Sequence, residues 1–143
     1  MIVTLLGVWL IYRNNKNPMT DINSYSQANQ DIFILNILNG KRNGYYLEIG
    51  GGPPILINNT YLLSKNYDWK GITVEYDDRK RHTWKDERPN DIIISNDARK
   101  INYLELLQKY NAPHNIDYLQ IDLEVNNRST LDVLELMDRE IFD

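Results

Sequence analysis

Four short apolar runs, each followed by a helical pattern, constrain the fold of this chain more than any other feature of its sequence. The runs are YYLEI at 45–49, GITVEY at 71–76, DIIIS at 91–95 and IDYLQID at 116–122. Strands that alternate with helices must be joined by parallel crossovers, and a parallel sheet is buried by helices on both faces. We therefore predict one α/β domain: a Rossmann-like parallel sheet with helices on both faces.

The segments between these runs have the patterns expected of helices. DIFILNILNG predicts a first helix closed by Gly40, and further helices follow from NTYLLSKNY, DDRKRHTWKDER, INYLELLQKY and STLDVLELM. In the stretch RKRHTWKDER, basic residues are interleaved with acidic ones, which favours a solvated helix face. We also expect both histidines, His82 and His114, to lie on the surface.

The N-terminal segment differs in composition from the rest of the chain. Residues 1–13 contain the apolar run MIVTLLGVWLIY, which is shorter than the roughly 20 residues of a spanning helix. This leader could be a short anchor that brings residues 1–12 to a membrane, a packed helix or strand, or an unstructured segment. Residues 14–23 read as a polar linker, and residues 24–143 as the domain. A cytoplasmic location is favoured.

Composition excludes several classes of function. The net charge of -4 argues against nucleic acid as a partner, because that binding depends on clustered Lys and Arg. A chain with no cysteine has no disulfides, zinc-thiolate sites or thiol nucleophiles. Two histidines are too few for a multi-histidine metal site, so we expect no metal centre.

An acidic residue stands at the end of each predicted strand. These are Glu48 before the glycines, Glu75 followed by Tyr76, Asp97, and Asp122 with Glu124. Ligands of open parallel sheets bind at the carboxyl ends of the strands, and an acid after the second strand can accept hydrogen bonds from ribose hydroxyls. Glu75 has that position.

The glycine turn EIGGGPP indicates which nucleoside-containing ligand fits. Its contiguous glycines do not match the dinucleotide pattern G-x-G-x-x-G, and Pro53 and Pro54 delay the next helix to about Asn59. An acidic glycine turn without a phosphate cradle suits a cationic cofactor that carries a ribose but no phosphate. S-adenosylmethionine is such a cofactor.

Five ordered motifs carry a resemblance to a known family. They consist of Ser24, Ser26, Gln27 and Asp31; Glu48, Ile49, Gly50 and Gly51; Asn59, Thr60 and Leu63; Trp69, Gly71, Ile72 and Glu75; and Ile116, Asp117, Leu119, Ile121, Asp122 and Glu124. Over this stretch the chain resembles the FkbM-type methyltransferases, S-adenosylmethionine-dependent enzymes of the Rossmann-like class I fold. The resemblance implies methylation of a hydroxyl on a sugar or small glycoconjugate.

The resemblance and the strand ends together nominate the site. The cofactor would be bound by Glu48, Gly50, Gly51, Gly52, Asn59, Glu75, Tyr76 and Asp97. Asp97 could instead cap a helix with Asn96. Asp122 or Glu124 would serve as the catalytic base; contact with the methionine end of the cofactor, binding of a divalent ion or a structural role are the alternatives for these two residues.

The chain departs from the family pattern at three places. Glu48 stands where Asp is usual, Asn126 stands near the usual glycine, and only four of the seven class I strands are predicted. The fourth strand could therefore be an unpaired edge that pairs with a second copy or another chain. The alternative functions are a non-catalytic cofactor-binding fragment, a partner-binding half-domain and, less well supported, a nucleotide-sugar or dinucleotide module.

Overall fold

The structure is a computed structural model that describes residues 22–124 and 126–141, with side chains described up to residue 138. Four strands form its sheet: β1 (Tyr45–Ile49), β2 (Lys70–Glu75), β3 (Ile92–Ser95) and β4 (Tyr118–Ile121). Within the described ranges the α-helices are α1 (Gln30–Ile37), α2 (Tyr61–Tyr67), α3 (Arg81–Glu87), α4 (Tyr103–Lys109) and α5 (Ser129–Ile141). Short 3₁₀ helices at Asp78–Lys80 and Ala98–Lys100 precede α3 and α4.

The sheet is parallel throughout, in the order β3-β2-β1-β4. Strand β1 is central: Glu48 is paired with Thr73 of β2 on one side and with Gln120 of β4 on the other. The chain therefore reverses its direction of progression across the sheet between β1 and β4, which is where an open α/β sheet forms its ligand crevice. The predicted α/β fold is confirmed.

Alternation along β1 divides the apolar core into two clusters, because successive side chains of a strand point to opposite faces. Leu47 and Ile49 belong to one cluster, which also contains residues of α4 and α5 such as Leu106 and Met137. Tyr46 belongs to the other cluster, with these residues of α1 and α2: Ile34, Leu35, Leu62 and Leu63. Helices thus cover both faces of the sheet, as predicted.

Two predicted helices differ in detail from those observed. The first ends at Ile37 rather than at Gly40, since Asn39 and Gly40 both have left-handed backbones. The charged segment is not simply a solvated face, because Trp84 and Arg88 are buried while their neighbours are exposed. The predicted solvated face is present, because six of the seven residues of α3 are exposed. Trp84 forms the inward-facing side that a helix over a sheet edge also needs.

Several predictions concern residues near the N-terminus. The leader at 1–13 and nearly all of the linker at 14–23 lie outside the described residues. Within the described ranges, no helix has the length and apolarity needed to cross a bilayer.

His82 and His114 are exposed, as predicted.

Candidate functional site

A cleft of about 440 Å³ opens at the carboxyl ends of the strands. This volume falls within the range of roughly 300–1,000 Å³ that is typical of small-molecule pockets. All four strand ends contribute to its lining, together with the first residues of α5. Seven of the ten nominated residues line it: Gly50, Gly52, Glu75, Tyr76, Asp97, Asp122 and Glu124.

Glu75 is held in one orientation at the end of β2. Its Oε2 accepts a hydrogen bond from the amide of Gly52 (2.7 Å), and its Oε1 accepts one from the amide of Asp77 (2.9 Å). The ammonium of Lys80 lies 3.6 Å from Oε1. Each carboxylate oxygen has more than one acceptor position, so a fixed Glu75 can still accept hydrogen bonds from a ligand in the cleft.

Tyr76 follows Glu75 in the lining and is 79% exposed. A buried core would be the usual place for a large aromatic ring next to a central strand. Here the ring instead offers a free aromatic surface at the cleft, and such a surface can stack on a planar heterocycle.

Asp97 has its acceptor groups largely in use. Arg99 donates to both of its carboxylate oxygens (3.0 and 2.9 Å), and these bonds hold the pKa of Asp97 below its ordinary value. The same carboxylate accepts a bond from the Arg99 amide and so caps the 3₁₀ helix Ala98–Lys100. Of the two roles predicted for Asp97, the structure contains the capping role. Asp97 also lines the cleft, where a ligand can reach it.

Asp122 and Glu124 form the other end of the cleft, after β4. Both are exposed, and among the described residues neither forms an ion pair. The side-chain amide nitrogen of Asn59 (Nδ2) donates a long hydrogen bond to Asp122 Oδ2, at 3.5 Å. The two cations of the lining, Lys80 and Arg99, are instead engaged by carboxylates. This end of the cleft therefore carries uncompensated negative charge.

Three nominated residues lie behind the cleft and not in its lining: Glu48, Gly51 and Asn59. Glu48 has no exposed surface, and its Oε2 accepts hydrogen bonds from the hydroxyls of Thr60 (3.0 Å) and Thr73 (2.9 Å). All three are buried, so none of them offers a surface to a ligand in the cleft. We therefore assign Glu48 a supporting role beneath the glycine turn.

Burial also changes the acidity of Glu48. It raises the pKa of this carboxyl to about 7, although the Arg88 charge and the hydroxyl of Thr73 act in the opposite direction. Its second oxygen, Oε1, is buried without a hydrogen-bond partner in the described part of the chain. A neutral carboxyl is consistent with such surroundings, because burial penalises the charged form.

Sequence reasoning missed the side chains that hold the glycine turn from below. Asn58 donates to the carbonyls of Gly51 (2.9 Å) and Pro53 (3.2 Å), and Arg88 donates to Asn58 Oδ1 (2.9 Å). One signal was available: a tryptophan within a highly charged helix indicates an inward-facing side. Asn58, the residue to which Arg88 donates, lies 30 positions away, so no local sequence pattern indicates this contact.

Metal binding has no support in the described ranges, which contain no cluster of three His, Cys, Asp or Glu side chains suited to an ion. No family model, curated protein or solved structure matches the chain. The resemblance to FkbM-type methyltransferases therefore rests on the sequence motifs alone and stays a prediction.

Proposed function

We propose that this chain is an S-adenosylmethionine-dependent O-methyltransferase of the FkbM type that acts on a hydroxyl of a sugar or small glycoconjugate. One observation carries the proposal: the same cleft contains a fixed acid and an exposed aromatic ring at one end and, at the other, two carboxylates that form no ion pair within the described residues. A nucleoside joined to a cationic side chain has the matching chemistry.

The nucleoside end of the ligand would bind to Glu75 and Tyr76. Glu75 is already oriented by the amides of Gly52 and Asp77, so accepting two ribose hydroxyls costs little further ordering. Tyr76 would stack on the adenine. Gly52 lines the cleft beside them, and a Cβ atom built there meets no other atom within 4 Å, which leaves room for the ligand.

The cationic end would lie near Asp122 and Glu124. A sulfonium and an ammonium group are attracted by these carboxylates, whereas a pyrophosphate would be repelled by them. The charge of the cleft thus opposes a dinucleotide and supports a cofactor without phosphate. The glycine turn leads to the same choice, because it lacks an adjacent helix start: α2 begins at Tyr61.

The cofactor would supply a methyl group bound to a sulfonium, which is transferred to a nucleophilic oxygen. The chain's part is to orient the two reactants, exclude water and accept the proton of the acceptor hydroxyl. A carboxylate oxygen of Asp122 or Glu124 would accept that proton, since both carboxylates line the cleft and neither forms an ion pair within the described residues. Gly50 and Leu123 line the same part of the cleft, where a Cβ atom built at Gly50 would lie 3.3 Å from the Leu123 side chain.

The test is calorimetric titration of the full chain with S-adenosylmethionine and with its demethylated product. Binding should occur, and Glu75→Ala should weaken it by about 1 to 3 kcal/mol because a charged acceptor of hydrogen bonds is lost. Glu105→Ala, at an exposed position of α4 outside the cleft, is the matched control. Absence of binding by a demonstrably folded wild-type chain would refute the proposal.

Activity is tested separately with a radiolabelled methyl donor and a panel of sugars and glycoconjugates. Transfer to a hydroxyl that is lost in Asp122→Asn or Glu124→Gln even when the cofactor is saturating would identify the base. Binding without transfer to any acceptor would favour the alternative, a non-catalytic cofactor-binding domain.

A second candidate function is association through the edge of the sheet. Within the described residues β4 is hydrogen-bonded to β1 only, and Leu119, Gln120 and Ile121 are partly exposed. A free edge of this kind can pair with a strand of another copy or another chain. Light scattering tests it: a chain that stays monomeric at high concentration, and keeps doing so without residues 1–16, would exclude self-association.

A further inference from the structure

The loop between β1 and α2 forms one wall of the cleft but has little regular structure of its own. Gly50 and Gly52, which line the cleft, have left-handed backbones (φ 84° and 57°), and so has Ile57 (φ 56°). That conformation is unfavourable for a β-branched residue such as Ile57. The shape of this wall must therefore be held by side-chain contacts to its backbone.

Two buried side chains supply these contacts. Asn58 Nδ2 donates to the carbonyls of Gly51 and Pro53 at 2.9 and 3.2 Å. Arg88 Nη1 donates to the Pro54 carbonyl (3.3 Å) and to Asn58 Oδ1 (2.9 Å). Three carbonyls of the loop, those of Gly51, Pro53 and Pro54, are thus held by Asn58 and Arg88, which are hydrogen-bonded to each other.

Arg88 itself is anchored from three directions. It follows α3 and lies over Trp84, 4.5 Å from the ring centroid to the guanidinium carbon. Its Nε binds the Asp91 carboxylate, and its Nη2 donates to the hydroxyl of Tyr46 in the central strand (2.9 Å). The side chain is 1% exposed, so these contacts are shielded from water.

We infer that Arg88 is a positioning residue for cofactor binding: it holds Asn58, and through Asn58 the glycine turn, in the shape that the cofactor requires. This inference rests on the proposed function. Arg88 does not line the cleft and so cannot act by touching the ligand. Its planar guanidinium serves Asp91, Asn58 and Tyr46 at once, a geometry that a lysine ammonium does not reproduce.

Arg88→Lys is the informative variant because it retains a positive charge beside the buried Asp91 carboxylate. The full chain and the variant are titrated with S-adenosylmethionine. We expect the dissociation constant to rise about tenfold, equivalent to about 1.4 kcal/mol. Leu106→Ala is the control, since it leaves a core cavity between α4 and the sheet without touching the loop.

Hydrogen exchange without cofactor provides a readout that loss of global stability does not imitate. The amides of Gly50, Gly51 and Gly52 should exchange faster in Arg88→Lys than in Leu106→Ala. If Arg88→Lys does not fold, Asn58→Asp is used in its place. The aspartate carboxylate can accept the hydrogen bond from Arg88, but it cannot donate to the carbonyls of Gly51 and Pro53.

The outcomes separate the two proposals. A wild-type chain that binds, with a folded Arg88→Lys chain within about twofold of its affinity, would overturn the positioning role alone. A wild-type chain that does not bind would overturn the proposed function and this inference together. Equal weakening by Leu106→Ala, or failure of both loop variants to fold, would show that Arg88 acts only on stability.

Discussion

Replacing Glu48 by glutamine should remove a large part of the pH dependence of this fold's stability. The glutamine has nearly the same shape, and its amide oxygen can accept the hydrogen bonds that Thr60 and Thr73 donate to Glu48 Oε2. It cannot ionise. Comparison of the two chains therefore isolates the free energy of placing a charge at this fully buried position.

The magnitude follows from the difference between the folded and unfolded pKa values. Burial raises the pKa of Glu48 from 4.5 to about 7, and each unit of difference corresponds to about 1.4 kcal/mol. Below the unfolded pKa the carboxyl is neutral in both states, so the wild type has its full stability there. Between pH 4.5 and about pH 7 the unfolded chain ionises more readily than the folded one, and stability is lost. The total loss is about 3 kcal/mol.

Urea unfolding at several pH values from 4 to 8 measures this loss, with the fluorescence of the buried Trp69 and Trp84 as the signal. The stability of Glu48→Gln relative to wild type should increase by about 3 kcal/mol across the window and then level off above pH 7. Glu87→Gln, at an exposed position of α3, should show no such trend. If the difference in free energy of unfolding between Glu48→Gln and wild type is constant with pH, the pKa of Glu48 is not raised in the folded chain.

Three further predictions concern the loop and the cleft. Ile57→Asn should raise the free energy of unfolding by about 1 kcal/mol in urea titrations, because asparagine tolerates the left-handed backbone; no such gain is expected from Leu56→Asn, an exposed neighbour without positive φ. Gly50→Ala should destabilise the fold more than Gly52→Ala, since only the first Cβ would collide with the carbonyl of Asp122; an equal loss for both would contradict the structure. Asp122→Asn should reduce the preference for S-adenosylmethionine over its demethylated product, which lacks the sulfonium charge, several-fold in calorimetry; an unchanged preference would show that Asp122 does not contact the sulfonium.

The architecture and the position of the cleft followed from local patterns. Apolar runs with alternating helices predict a parallel sheet, and parallel strands bring their carboxyl ends to one edge. Glu75, Tyr76, Asp122 and Glu124 were therefore placed correctly at the cleft without knowledge of the strand order. Pleating and helix periodicity involve only neighbouring residues, so a sequence displays them directly.

Which strand-end acid meets the cleft was decided by tertiary structure. Glu48 and Glu75 look alike in sequence, yet Glu48 is covered by Thr60, 12 positions away, and by Thr73, 25 positions away. The bond from Arg88 to the hydroxyl of Tyr46 joins residues 42 positions apart. Such contacts depend on how packed helices and strands bring distant backbone positions together. Local sequence patterns thus specify the edge of the sheet at which the cleft opens, whereas packing selects the side chains that line the cleft and those that support the loop from beneath.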